Sequence, residues 1–128
     1  MISQLTGTVS YKDLRYIVVD VAGVGYKVAI TPGVLEKARS GGAITLWTHL
    51  AVRENALDLY GFESKEDLDL FEMLITVSGV GPKTAIGVLN VVLPETVRMA
   101  ISSGETSYLT KVSGVGKKIA EKIVLELK

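Results

Sequence analysis

The pattern of hydrophobic and polar positions changes period once along the chain. Ile17, Val19 and Val21 alternate with Tyr16, Val18 and Asp20. Beyond a glycine turn at Gly23-Val24-Gly25, Tyr26, Val28 and Ile30 alternate with Lys27 and Ala29. A period of two on either side of a glycine turn predicts a β-hairpin. Thr31-Pro32-Gly33 interrupts the alternation, Val34 to Arg39 suits a short helix, and Ser40-Gly41-Gly42 is another turn. Ile44 to Val52 predicts a strand with Leu46, Leu50 and Val52 on one face, and Leu57 to Phe62 its returning partner. Short strands, glycine turns and one small helix predict a small β-barrel.

From Ser64 the period becomes helical. Ser64 with Asp67 three residues on resembles a capping box, and Leu68, Phe71 and Ile75 follow at helical spacing. Pro82 and Pro94 each suit the first turn of a helix. Ile119, Ala120, Ile123 and Leu127 form an apolar stripe on a final helix. The expected architecture is therefore α+β and two-domain: a barrel over 1–62, an all-α domain over 65–128, and a joint at Glu63-Ser64-Lys65.

The helical half contains a repeat. LITVSGVGPKTA, from Leu74 to Ala85, recurs as LTKVSGVGKKIA, from Leu109 to Ala120. Two copies are fewer than a solenoid needs, so a pair of helix–hairpin–helix units is the better expectation. A turn between helices near Val77 and Pro82 needs positive φ, which glycine adopts without steric cost. Gly79 and Gly81 also let a phosphate approach the backbone. The first N–H groups of the following helix lack intrahelical partners and sit at its positive end. Val80 is expected to plug the gap between the helices, and Lys83 adds a charge within reach of a neighbouring phosphate. Gly114, Val115, Gly116, Lys117 and Lys118 repeat the arrangement with one more lysine. Lys122, one turn beyond Lys118, is a further candidate contact or else a solvated surface lysine.

Gly-Val-Gly alone is a weak signal, since Gly23-Val24-Gly25 has the same residues between strands, and a tight helix–helix turn is the plain alternative. Duplication with a matching lysine favours phosphate binding. A P-loop is excluded because Pro82, not glycine, precedes Lys83-Thr84. Contacts to phosphate carry little sequence information, so a preference for DNA shape is expected.

Composition narrows the chemistry. The 128 residues include no cysteine and one histidine, His49. Disulfides, thiolate metal sites, a cysteine nucleophile and a multi-histidine site are excluded, no cofactor is expected, and a reducing cytoplasm fits. No apolar run approaches the roughly 18 residues of a membrane span. MISQLTGTVSYK lacks the basic and apolar regions of a signal peptide. The formal net charge is zero, which counts against a nucleic-acid binder until its segregation is seen. Glu63, Glu66, Asp67, Asp69 and Glu72 crowd around Lys65, whereas Lys111, Lys117, Lys118 and Lys122 crowd around Glu121. Two solvated helix faces would give the same pattern.

A barrel half ending in HLAVRENALDLYGF, followed by two SGVG-x-K hairpins, closely resembles the bacterial RuvA family, the Holliday-junction-binding subunits of the branch-migration complex. The resemblance covers the whole chain. It implies an OB-fold, then a double helix–hairpin–helix domain, and a homotetramer holding an open four-way junction on one face. One or two such tetramers would engage the junction. It implies no nuclease or ATPase activity, an ATP-driven motor partner, RuvB, and a resolvase partner, RuvC, in recombination, DNA repair and the SOS response. Gly79, Gly81, Lys83, Gly114, Gly116, Lys117 and Lys118 match the family's phosphate-binding motifs. Two departures stand out. The family has a third small helical domain, on a flexible linker, that contacts the motor. The sequence stops at Lys128, so it is expected to bind junctions without that contact. The family's acidic pin, two adjacent acids at the tip of the last barrel hairpin, is matched by Glu54 and Asn55. With one charge lost, the pin is expected to act more weakly, and Asp58 in the returning strand is not expected to compensate. Without the resemblance, Arg53-Glu54-Asn55 reads as an ordinary polar tip.

Two other readings remain. A DNA glycosylase or nuclease would need a catalytic carboxylate or lysine beside a base pocket, or a carboxylate cluster for metal. A generic DNA-binding accessory module would share the hairpins but leave the barrel half without a reason.

Overall fold

The computed structural model describes residues 1–128. The chain divides into two compact units, Met1–Leu68 and Asp69–Lys128. The first contains strands β1 (Gln4–Lys12), β2 (Tyr16–Val21), β3 (Val24–Ala29), β4 (Ala43–Arg53) and β5 (Ala56–Phe62), with helix α1 (Pro32–Lys37) between β3 and β4. The strands close in the order β1-β2-β3-β5-β4. Only β3 and β5 run parallel. This is an OB-fold-like barrel.

Closure depends on β1, which the sequence alternation does not single out. Gln4 to Thr8 pair with β4, and Thr8 to Lys12 pair with β2 across a bulge between Val9 and Tyr11. Leu5 and Val9 are its buried apolar residues. Their spacing of four and the bulge conceal the period of two. Inside the barrel, Leu5, Val9, Ile17, Val19, Val28, Ile30 and Leu46 form one cluster with Val34 and Ala38, so α1 packs on the barrel core. The single buried hydroxyl in β4, on Thr48, donates to the Ile2 carbonyl at 2.6 Å.

Two local expectations are corrected. The β2–β3 turn is Ala22-Gly23, with φ of 52° and 93°, not Gly23-Val24-Gly25. Val24 and Gly25 lie in β3, paired with Val21 and Asp20. Two-residue hairpin loops favour positive φ because it matches strand twist. Here Asp20 Oδ1 also accepts the Gly23 N–H at 2.8 Å. α1 begins at Pro32 rather than Val34, because proline's fixed φ suits a first helical residue as well as a break. Val52, on the same face as Leu46 as expected, is 69% exposed. It lies where β4 runs out towards its hairpin tip.

The helical elements are α2 (Lys65–Ile75), α3 (Pro82–Val91), α4 (Pro94–Ser103), a 3₁₀ turn at Leu109–Lys111 and α5 (Lys117–Leu127). Ser64 caps α2, its Oγ accepting the Asp67 N–H at 3.1 Å. α3 and α4 meet at 100°. Gly104, at φ 79°, ends α4, and the Glu105 N–H reaches back to the Ala100 carbonyl at 2.9 Å. That bond satisfies an otherwise orphaned helix-end carbonyl. Buried residues of this unit include Val77, Val80, Ala85, Val88, Leu89, Val97, Ala100, Leu109, Val112, Val115, Ala120 and Ile123. No helix is long and apolar enough to cross a membrane.

Candidate nucleic-acid interface

The repeated sequence folds into two hairpins of matching geometry. Gly79 and Gly114 take φ of 91° and 88°. Gly81 and Gly116 are extended N-caps, at φ −93°, ψ 178° and φ −84°, ψ 179°. In each turn the central valine N–H donates backwards, Val80 to the Val77 carbonyl and Val115 to the Val112 carbonyl, both at 3.0 Å. Val80 and Val115 are 4% and 3% exposed, so each plugs its turn as their apolar character predicts. The two glycines therefore do different work. The first supplies the left-handed turn, and the second opens the helix without a side chain in the way.

That second role leaves donors open. The first amide to bond within α3 is Ala85, to the Gly81 carbonyl at 2.9 Å. In α5 it is Ala120, to the Gly116 carbonyl at 3.0 Å. Neither cap residue supplies a side-chain hydrogen bond. The N–H groups of Lys83 and Thr84 in α3, and of Lys117, Lys118 and Ile119 in α5, precede those first helical bonds. Such donors at a helix N-terminus suit an anion. Pro82 withholds a donor that Lys117 supplies. Lys83, Lys117 and Lys118 are exposed, as are all four hairpin glycines. The second hairpin thus carries more positive charge and one more amide.

The hairpins differ in their lead-in. α2 leads into the first, whereas only the 3₁₀ turn Leu109–Lys111 leads into the second. Between the Gly104 stop and the second hairpin the chain forms a link whose helical turn is Leu109–Lys111. Glu105 organises this link, accepting the Ser107 N–H at 3.0 Å. That bond holds its carboxyl below the usual carboxylate range. Lys111 lies over the Tyr108 ring, its Nζ 5.4 Å from the centroid.

Lys122 is half-buried, not a freely solvated lysine, and its Nζ donates to the Ser78 carbonyl in the first hairpin at 3.3 Å. Sequence spacing placed it near Lys118. The contact with Ser78, 44 residues away, has no local signal.

In the barrel unit, Glu54 and Asn55 form the two-residue tip between β4 and β5, closed by the pair Arg53–Ala56. Both are exposed. Arg53 Nη2 meets Asp58 Oδ2 at 2.8 Å. Asp58 is therefore matched by a cation on the neighbouring strand and adds little net negative charge. Glu54 is left as the acid at the tip. Beside it, Val52 and Leu57 face each other across the strands, 69% and 71% exposed. Elsewhere in this unit, Lys37 is paired with Glu63, which raises the lysine's pKa.

Glycine substitution should separate the two turns. Gly114→Ala meets open space and should cost about 1–2 kcal/mol, the penalty for a side chain in the left-handed region. A Cβ at Gly79 would also fall 2.8 Å from Ile119 Cδ1, so Gly79→Ala should cost more in a urea melt. Equal losses would show that Ile119 gives way freely.

Comparison with known proteins agrees with this arrangement. The RuvA N terminal domain model matches residues 1–61, and the SAM-like helix-hairpin-helix tandem model matches residues 71–128. The chain is 47% identical over 128 residues to the Holliday junction branch migration complex subunit RuvA of Alkaliphilus oremlandii, covering 100% of this chain and 66% of that protein. It is 47% identical over 127 residues to the subunit of the same name from Renibacterium salmoninarum, covering 99% of this chain and 59% of that one. For the Thermobifida fusca subunit the identity is 46% over 128 residues, with 100% and 63% covered. The chain thus spans 59% to 66% of the length of these curated relatives. A closed five-stranded barrel, a tandem of glycine hairpins and this consistent likeness place the chain in the RuvA family.

Proposed function

We propose that this chain is a non-catalytic DNA-binding scaffold that holds an open four-way junction during branch migration. The observation carrying the proposal is the duplicated hairpin. Two turns with matched dihedral angles each present uncapped helix N-terminal amides beside exposed lysines. On one domain they would grip two phosphate backbones. Gly79, Gly81 and Lys83 would form one grip, and Gly114, Gly116, Lys117 and Lys118 the other. The relatives' names, subunits of a Holliday junction branch migration complex, supply the substrate. The partners follow from the same likeness: a homotetramer of this chain, one or two per junction, with the RuvB motor and the RuvC resolvase in the cytoplasm. The proposal assigns no cleavage to the chain. No three His, Asp or Glu side chains come together in a metal-holding group.

Measuring mass in solution, free and with junction DNA, tests the scaffold. Four copies per junction face are expected, and a monomer on DNA would favour a simple accessory module. Incubation with nicked, abasic and junction DNA in magnesium should leave every strand intact, and strand cleavage would contradict the non-catalytic assignment.

The pin makes a separate prediction. Asn55→Asp restores a second acid facing the crossover phosphates. It should weaken junction binding by about 0.5–1 kcal/mol, a typical exposed charge interaction, while holding fluorescently labelled arms further apart. Glu54→Gln should do the reverse. No change in either variant would place the tip away from the crossover.

A further inference from the structure

One helix serves both hairpins. The N-terminus of α5 carries the amides of the second hairpin, while its first two turns lie behind the first. Lys122 Nζ donates to the Ser78 carbonyl at 3.3 Å. Ile119, three residues earlier, stands against Gly79, its Cδ1 2.8 Å from where a Cβ would be. The second hairpin has no such neighbour, since a Cβ on Gly114 would meet nothing within 4 Å. Two turns with the same backbone thus differ at their first glycine: Ile119 stands against Gly79, and nothing stands within 4 Å of a Cβ on Gly114.

We propose that Lys122 is a positioning residue for the first hairpin. An ammonium donor to a carbonyl makes a charge-assisted bond, stronger than a neutral one. Here it ties the residue preceding Gly79 to α5, with Ile119 filling the space that Gly79 leaves. Because the N-terminus of α5 also carries the amides of the second hairpin, this tie fixes the spacing between the two sets of amide donors. Donors held at a fixed spacing need less ordering when a ligand arrives. The consequence for DNA rests on the two-hairpin grip proposed above, whereas the tie itself can be tested without DNA.

The matched amides of Val80 and Val115 are the probes. Lys122→Met keeps the length of the side chain and removes its donor. In the free chain, hydrogen exchange at Val80 should speed up about fivefold, as loss of one hydrogen bond implies. Val115 should not change, and Lys122→Arg should restore Val80. An unchanged Val80, or an equal rise at both valines from general loosening, overturns the proposal. On duplex DNA, Lys122→Met should lower affinity while leaving the log–log salt slope unchanged. A slope reduced by about 0.9 would make Lys122 a direct phosphate contact instead and overturn the positioning role. If the unaltered chain failed to bind DNA, the two-hairpin grip would fall, and the exchange comparison would still decide whether Lys122 positions the hairpin.

Discussion

Replacing Lys117 and Lys118 together with alanine is expected to weaken DNA binding on the order of thirtyfold at about 0.15 M salt, whatever the base sequence. Each lysine that neutralises a phosphate releases a counterion, so two lost contacts should flatten the log–log salt dependence by about 1.8 units. Lys117 and Lys118 are exposed beside the uncapped N-terminus of α5. Alanine leaves the backbone donors and the helix in place, so thermal stability should hardly move. Lys83→Ala, which removes the one lysine of the first hairpin, should flatten the slope by about 0.9. Anisotropy titrations across a salt series read both quantities. An unchanged slope in the double variant would mean that these lysines do not touch phosphate, even if affinity fell.

Gly7→Ala is expected to cost about 2–4 kcal/mol of stability, within the range for overpacking against an unyielding neighbour. Gly7 lies in β1, opposite Ile44, just before Thr8 turns from β4 to pair with Asp20 on β2. A Cβ there would lie 2.3 Å from the Asp20 carbonyl oxygen and 3.0 Å from Val19 Cγ1. The first of these is backbone, so relief requires β1 and β2 to separate at the point where the barrel closes. Gly114→Ala, facing open space, should be the milder change. Denaturant melts on both variants check the order. A Gly7→Ala loss no larger than that of Gly114→Ala would show that the barrel corner is loose.

Much of this was legible because it is local. Ile17, Val19 and Val28 alternate with exposed or half-buried neighbours, so β2 and β3 could be read from period alone. The hairpins announced themselves by duplication, and their valines and glycines take the places their chemistry suggested. What escaped needed tertiary information. The bulge in β1 breaks its period. Ala22 takes a left-handed conformation, which the Gly23-Val24-Gly25 pattern assigns to glycine. Val52 alternates correctly, but β4 outruns the core beneath it. The tie between Lys122 and Ser78 joins residues 44 apart, and nothing in either neighbourhood calls for the other. The 3₁₀ lead-in to the second hairpin is masked by the repeat, since Leu109 matches Leu74 near the end of α2.

The central claim is that two phosphate grips on a barrel-bearing chain serve to recognise junction shape. It is tested most directly by comparing affinity for a four-way junction and for linear duplex of the same sequence, at one salt concentration. The account predicts clearly tighter binding to the junction, retained when the arm sequences are exchanged. Equal affinity for both would contradict it.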